Sequence, residues 1–293
     1  MDVEELVRLL YEDIPRRSSE LTHIWAVFWA NFKIFLSYRS WVITETLSTV
    51  ASIAMYSFMG LQVAPDKLSG IGYGDVDWLA FALIGVATAN YLWMCISRIS
   101  HSMLNEIREG TLEYIVSTSI RMRSYIIGQS IRGFLVSGYF MAGVILVGLF
   151  LLKVPLVVTF ETILSFLMII TLMVGSYVGI GVMIAGIILV YKRGDPLTFL
   201  FASITEFLGG VLFPIGYLRS YPLLWSLAWL MPYTYALDAA RYILLVGGSL
   251  TSPSILNDII ILVVYTFITI PIGFKVFKWG YNRIRAEGTT ATY

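Results

Sequence analysis

Charged side chains are scarce in this sequence, and the ones that could do chemistry fall into two groups. Glu106, Arg108, Glu109 and Glu113 alternate in sign at helical spacing, with Gly110, Thr111 and Leu112 among them. Residues three and four apart share a helix face, so this set can pair with a soluble partner. Glu109, Gly110 and Thr111 spell a turn at its membrane-facing end. The residues alone favour a plainer use, a solvated cytoplasmic helix with a glycine bend. The second group is buried in apolar runs: Glu45 in "WVITETLSTV" and Glu206 in "FASITEFLGGVLFP". A carboxylate at such depth is costly and normally faces protein or water, so each is a candidate for lining a transport path. The competing reading is a neutral or hydrogen-bonded carboxylate that holds helices together. Asn90 and Thr88 could line the same path, although interhelical hydrogen bonding is the commoner use. Arg132 can snorkel to the inner headgroups, and Arg241 with Asp238, three residues apart, can pair locally.

Other chemistries fit less well. "IGYGD", Ile71 to Asp75, looks like a potassium-channel filter, which lines up backbone carbonyls inside the membrane. Only the short polar stretch "LQVAPDKLSG" precedes it, too little to descend to mid-membrane and return. Gly72, Tyr73, Gly74 and Asp75 also satisfy the G-x-G-D of intramembrane aspartyl proteases. A partner Tyr-Asp dipeptide in another span is absent, so the shared proton of such a site has no second carboxylate. The two histidines, His23 and His101, cannot form H-E-x-x-H, and the single cysteine, Cys95, supports neither a disulfide nor a cysteine metal site. No Gly-Lys dipeptide exists to build a nucleotide-binding loop.

The elements that must position these groups are membrane helices. Of 293 residues, 58% are hydrophobic and 13% charged, and the mean hydropathy is +0.79, far from a soluble domain. The net charge of +1, spread along the chain, gives no footprint for nucleic acid. The acidic, amphipathic opening "MDVEELVRLLYEDIP" is unlike a cleaved leader. A hydrocarbon core about 30 Å thick needs about 20 apolar residues. Six segments qualify: residues 41–60, 78–97, 126–152, 163–190, 197–215 and 255–277. With both termini inside, the inner segments hold fifteen lysines and arginines. The outer ones hold four, Lys67, Lys153, Arg219 and Arg241, and the positive-inside rule selects that orientation. Residues 1–20 read as an N-terminal cytoplasmic amphipathic segment. Residues 21–40 read as an interfacial helix, with Trp25, Phe28, Trp29, Phe32 and Leu36 on one side. Residues 41–293 read as the six-helix domain. The outer connection from Gly216 to Ser254 is apolar enough to dip into the membrane, bending at Pro222, Pro232 and Gly247.

Two motifs bring a family to mind. The run Glu106, Ile107, Arg108, Glu109, Gly110, Thr111, Leu112, Glu113 resembles the E-R-E-x-G-T-L-E signature of ABC-2 type permeases, membrane subunits of ATP-binding-cassette exporters. The usual Thr-Pro that follows is missing from "VSTSIR". "FPIGYLRSYP" and "MPYTYALDAARY" resemble that family's second motif, with Arg219 in place of a proline and Asp238 in place of a glutamate. The resemblance implies an all-α membrane protein whose cytoplasmic coupling helix, residues 106–113, rests on a separate ATPase. It implies two ATPase copies, which use the ATP and magnesium, and a second permease copy, identical or related. This chain itself would bind no cofactor and catalyse nothing. It also implies that the first, second and fifth spans of the two copies surround the path, which singles out Glu45, Asn90 and Glu206. Cargo would be an amphipathic small molecule, lipid or peptide moved out across the plasma membrane. A glycan-exporting permease is the alternative, and an ion channel a remote one.

Overall fold

A computed structural model describes residues 19–60, 76–118, 120–191 and 195–287. Every element among them is helical. The first, α1 (Glu20–Ser37), begins where the Ser19 side chain accepts from the Thr22 amide at 3.3 Å, which satisfies one of the free donors at a helix start. Its aromatic face is divided. Phe28 is buried with Val27 and Phe35, while Trp25 and Trp29 stack on the exposed side with ring centroids 6.1 Å apart. Only Tyr38 separates α1 from α2 (Arg39–Gly60).

Four described helices are long and apolar enough to cross a membrane, within Trp78–His101, Met122–Phe150, Phe160–Tyr191 and Pro253–Ile284. They belong to α3 (Trp78–Arg108), α5 (Met122–Phe150), α6 (Phe160–Tyr191) and α10 (Pro253–Glu287), with the short α4 (Leu112–Ser117) between the first two. They stand at the places of the expected second, third, fourth and sixth spans. The helices at the other two places differ from them in kind. α2 has the length, but Glu45 and its many hydroxyls dilute its apolarity. Thr44 and Thr46 fold their hydroxyls back onto the carbonyls of Ser40 and Val42, at 3.0 and 2.7 Å. α7 (Asp195–Leu208) has 14 residues, roughly 21 Å of helix against a core of about 30 Å. It stops at Leu208 rather than running to residue 215, because Gly209 and Gly210 follow and Gly210 takes a left-handed φ of 68°.

Beyond this break the outer connection folds compactly as a 3-10 turn (Ile215–Ser220), α8 (Pro222–Trp229) and α9 (Pro232–Val246). Prolines open both α-helices, where their missing N–H costs nothing. α9 ends at Gly247 with φ 74°. It is not a surface element: Tyr233, Ala236, Leu237, Ala240 and Ile243 join α3, α5, α6 and α10 in the main core. The tightest seam runs between α6 and α10. A side chain at Gly179 or Gly273 would strike the facing backbone, and the Thr269 hydroxyl donates across the seam to the Ser176 carbonyl at 2.8 Å. Small residues that admit such an approach replace the hydrophobic drive that lipid cannot supply.

Candidate functional site

The charged run does not occupy one helix. α3 ends at Arg108, Glu109 and Gly110 turn, and α4 opens at Leu112. Gly110 adopts φ 68°, a conformation that favours glycine, and the Thr111 amide bonds back to the Glu106 carbonyl at 3.0 Å. Charge spacing alone predicted a continuous face, but the left-handed glycine divides it between two helices. The members also have different roles. Both oxygens of Glu106 accept hydrogen bonds, from the Tyr125 hydroxyl at 2.7 Å and from the Thr111 hydroxyl, and Gln129 donates to Tyr125 at 2.9 Å. Glu106 therefore ties the end of α3 to the start of α5. Arg108, Glu109 and Gly110 are exposed. Backbone placement sets Leu112 and Glu113 in the first turn of α4, while their side chains lie outside the described residues. Glu20 at the start of α1 receives Arg121 and Arg123, so α1 is fastened to the same connection.

Asn90 and Glu206 come together on one half-open cavity of about 210 Å³ between α3 and α7. Its other walls are mostly apolar and include Trp93, Ile96, Phe199 and Tyr233 of α9. Trp93 and Phe199 meet edge to face at 6.4 Å. Glu206 and Asn90 are both exposed, so neither holds the core together. Thr88, by contrast, is buried and bonded to the Tyr233 hydroxyl at 2.9 Å. Glu45 is elsewhere. It lines a cavity of about 190 Å³ that shares Asn90 and Trp93 with the first, and a polar one of about 480 Å³ that reaches Glu106 and Glu109. The three candidate path residues thus mark a series of adjoining cavities along α3.

Sequence reasoning missed the polar junction on the other side of α3. Arg241, only 2% exposed, donates to the carbonyls of Gly210 at 2.9 Å, Val211 at 2.6 Å and Phe81 at 3.2 and 3.3 Å. Its guanidinium also lies 3.3 Å from the centre of the Phe81 ring. The carbonyls freed by the break after α7 are therefore capped by a side chain from α9. Beside it the Tyr233 hydroxyl donates to the Gly85 carbonyl at 3.1 Å. A cation inside an otherwise apolar helix was the available signal; its partners, 30, 31 and 160 residues away, were not.

The sequence model of the ABC-2 type transporter family matches residues 22–245. The chain belongs to that family. Comparison with curated proteins finds no match. The matched stretch takes in most of α1, the exposed turn at Gly110 and the buried Arg241, and ends before α10. Members of the family are membrane transport components that generally work with an ABC ATPase. This ABC-2 permease is accordingly a multi-pass membrane protein with several apolar helices. The filter-like and protease-like residues Ile71 to Asp75 lie outside the described residues.

Proposed function

We propose that this permease exports an amphipathic small molecule, lipid or peptide from the cytoplasm. In this reading it crosses the plasma membrane six times with both termini inside. α2 and α7 serve as the first and fifth spans, and α1 lies in the inner headgroup layer. Residues 1–20, 21–40 and 41–293 keep the three roles assigned above. Two copies of an ABC ATPase dock on the inner side and consume ATP with magnesium. A second permease copy, identical or related, faces the first. The exposed apolar side chains of α2 and α7, among them Leu47, Met55, Phe199 and Phe207, suit burial against that copy and would close the half-open cavity.

The observation that carries this reading is the continuity of α3. One uninterrupted helix of 31 residues, roughly 46 Å long, joins the exposed Arg108–Glu109–Gly110 turn to the Asn90 wall of the cavity and to the Phe81 carbonyl held by Arg241. A push taken up at Glu106, Arg108, Glu109, Gly110, Thr111, Leu112 and Glu113 is passed by α3 to Asn90 without a hinge in that helix, and Glu206 of α7 lines the same cavity as Asn90. The mostly apolar, aromatic cavity with one carboxylate favours an amphiphile over a glycan. The reading is tested by co-purification with a co-expressed ATPase. The double reversal Arg108→Glu, Glu109→Lys should reduce recovery of the complex about tenfold or more. Equal recovery would overturn the coupling assignment.

A further inference from the structure

The largest of the three cavities described above has no role in that reading. It lies between α1, α2, α3 and α5, on the side of the Gly110 turn, with a volume of about 480 Å³. Its charged lining is Glu45, Arg98, His101, Glu106, Glu109 and Arg132. Of the carboxylates, Glu106 is already engaged by Tyr125 and Thr111, and Glu45 attracts Arg98. Arg132 is the group left over. Among the described residues its side chain makes one long hydrogen bond, 3.4 Å from Nη1 to the Gln129 amide oxygen, and its Nε is buried without a partner. The stem of Arg98 crosses α5 beside it, so that a Cβ at Gly133 would stand 3.6 Å from the Arg98 Cβ.

A guanidinium whose Nε is buried and unpartnered favours an anion laid against it, and guanidinium suits tetrahedral oxyanions, which it can meet with two parallel donors. Glu45 and Glu109 on the same walls disfavour a multiply charged anion and suit a head that carries an ammonium beside its phosphate. Apolar walls are present as well, in Ile34, Trp93 and Met94. Glu45, Trp93 and Met94 are shared with the cavity that leads to Asn90. We propose that this inner cavity binds the zwitterionic phosphate head of an amphiphile, with Arg132 and Arg98 on the phosphate and Glu45 toward the ammonium, before the molecule passes to the Asn90–Glu206 cavity. This deepens the export reading and rests on it only for the final transfer.

The test uses the full purified chain in detergent without any ATPase, so its outcome is independent of the docking experiment. Short-chain dihexanoyl-phosphatidylethanolamine is titrated calorimetrically against the parent protein and its variants. Saturable binding is expected, weakened about tenfold or more in Arg132→Gln and largely kept in Arg132→Lys, which retains the charge. Gln129→Glu gives Arg132 an internal counter-anion and should abolish binding even though no cation is lost, which separates occupancy from misfolding. Arg219→Gln, in the outer 3-10 turn, should bind like the parent. Equal binding of dihexanoylglycerol, or undiminished binding by both Arg132→Gln and Gln129→Glu, would overturn the proposal. Competition by inorganic phosphate at the same concentration as the lipid would overturn the amphiphile and leave a site for the free anion.

Discussion

Arg241 is a buried cation and Arg132 a half-buried one, both in apolar helices, and their surroundings are opposite. Arg241 spends its donors on three backbone carbonyls from two other segments and covers an aromatic ring. Arg132 has one long bond to a neighbour on its own helix and a buried Nε with nothing to meet. Nothing in the local sequence, "DAARYI" or "QSIRGF", announces this difference. What separates a strut from a ligand-seeking group is the number of fixed acceptors within reach, which is a property of the fold.

The comparison predicts opposite responses to losing the charge. Arg241→Met should be the most damaging, because it leaves the Gly210 and Val211 carbonyls buried without donors and strips the Phe81 ring of its guanidinium. A loss on the order of 3 kcal/mol is expected, read as a markedly lower melting temperature in detergent. Arg241→Lys should recover only part, since an ammonium cannot reach three carbonyls in the geometry of the fork. Arg132→Leu should be the mildest. Removing a desolvated cation that has no counter-charge is expected to change stability by less than about 1 kcal/mol, or to raise it, in lipid-free detergent. Equal destabilisation by Arg241→Met and Arg132→Leu would break the comparison.

Much of the inner face was legible. Gly110 between Glu109 and Thr111 marked a turn, and the turn is there, because a left-handed backbone position is read from a single residue. The charges around it suggested one shared face since spacing is local information, whereas the use of Glu106 as a tie to Tyr125 depends on a residue 19 positions away. The expected fifth span overran its helix for a related reason. "FLGGVLFPI" is apolar throughout, and hydropathy does not register that two glycines end the helix and release carbonyls that Arg241 must cap. Asn90 and Glu206, expected on one path, line the same cavity. Arg98, counted only as an inner positive charge, lies in a cavity because α5 crosses it at Gly133, and no pattern within α3 contains that crossing.

The central claim is that the Gly110 turn is where a separate ATPase takes hold. The lone thiol, Cys95, is buried, so Glu109→Cys places an accessible thiol at the turn. A second variant, Tyr217→Cys, places one in the outer 3-10 turn, where Tyr217 is exposed. Each is treated with a short bifunctional thiol–amine reagent in membranes that also contain the co-expressed ATPase. The account predicts a permease–ATPase adduct from Glu109→Cys and none from Tyr217→Cys. An adduct from Tyr217→Cys, or none from Glu109→Cys when the ATPase co-purifies, would contradict it.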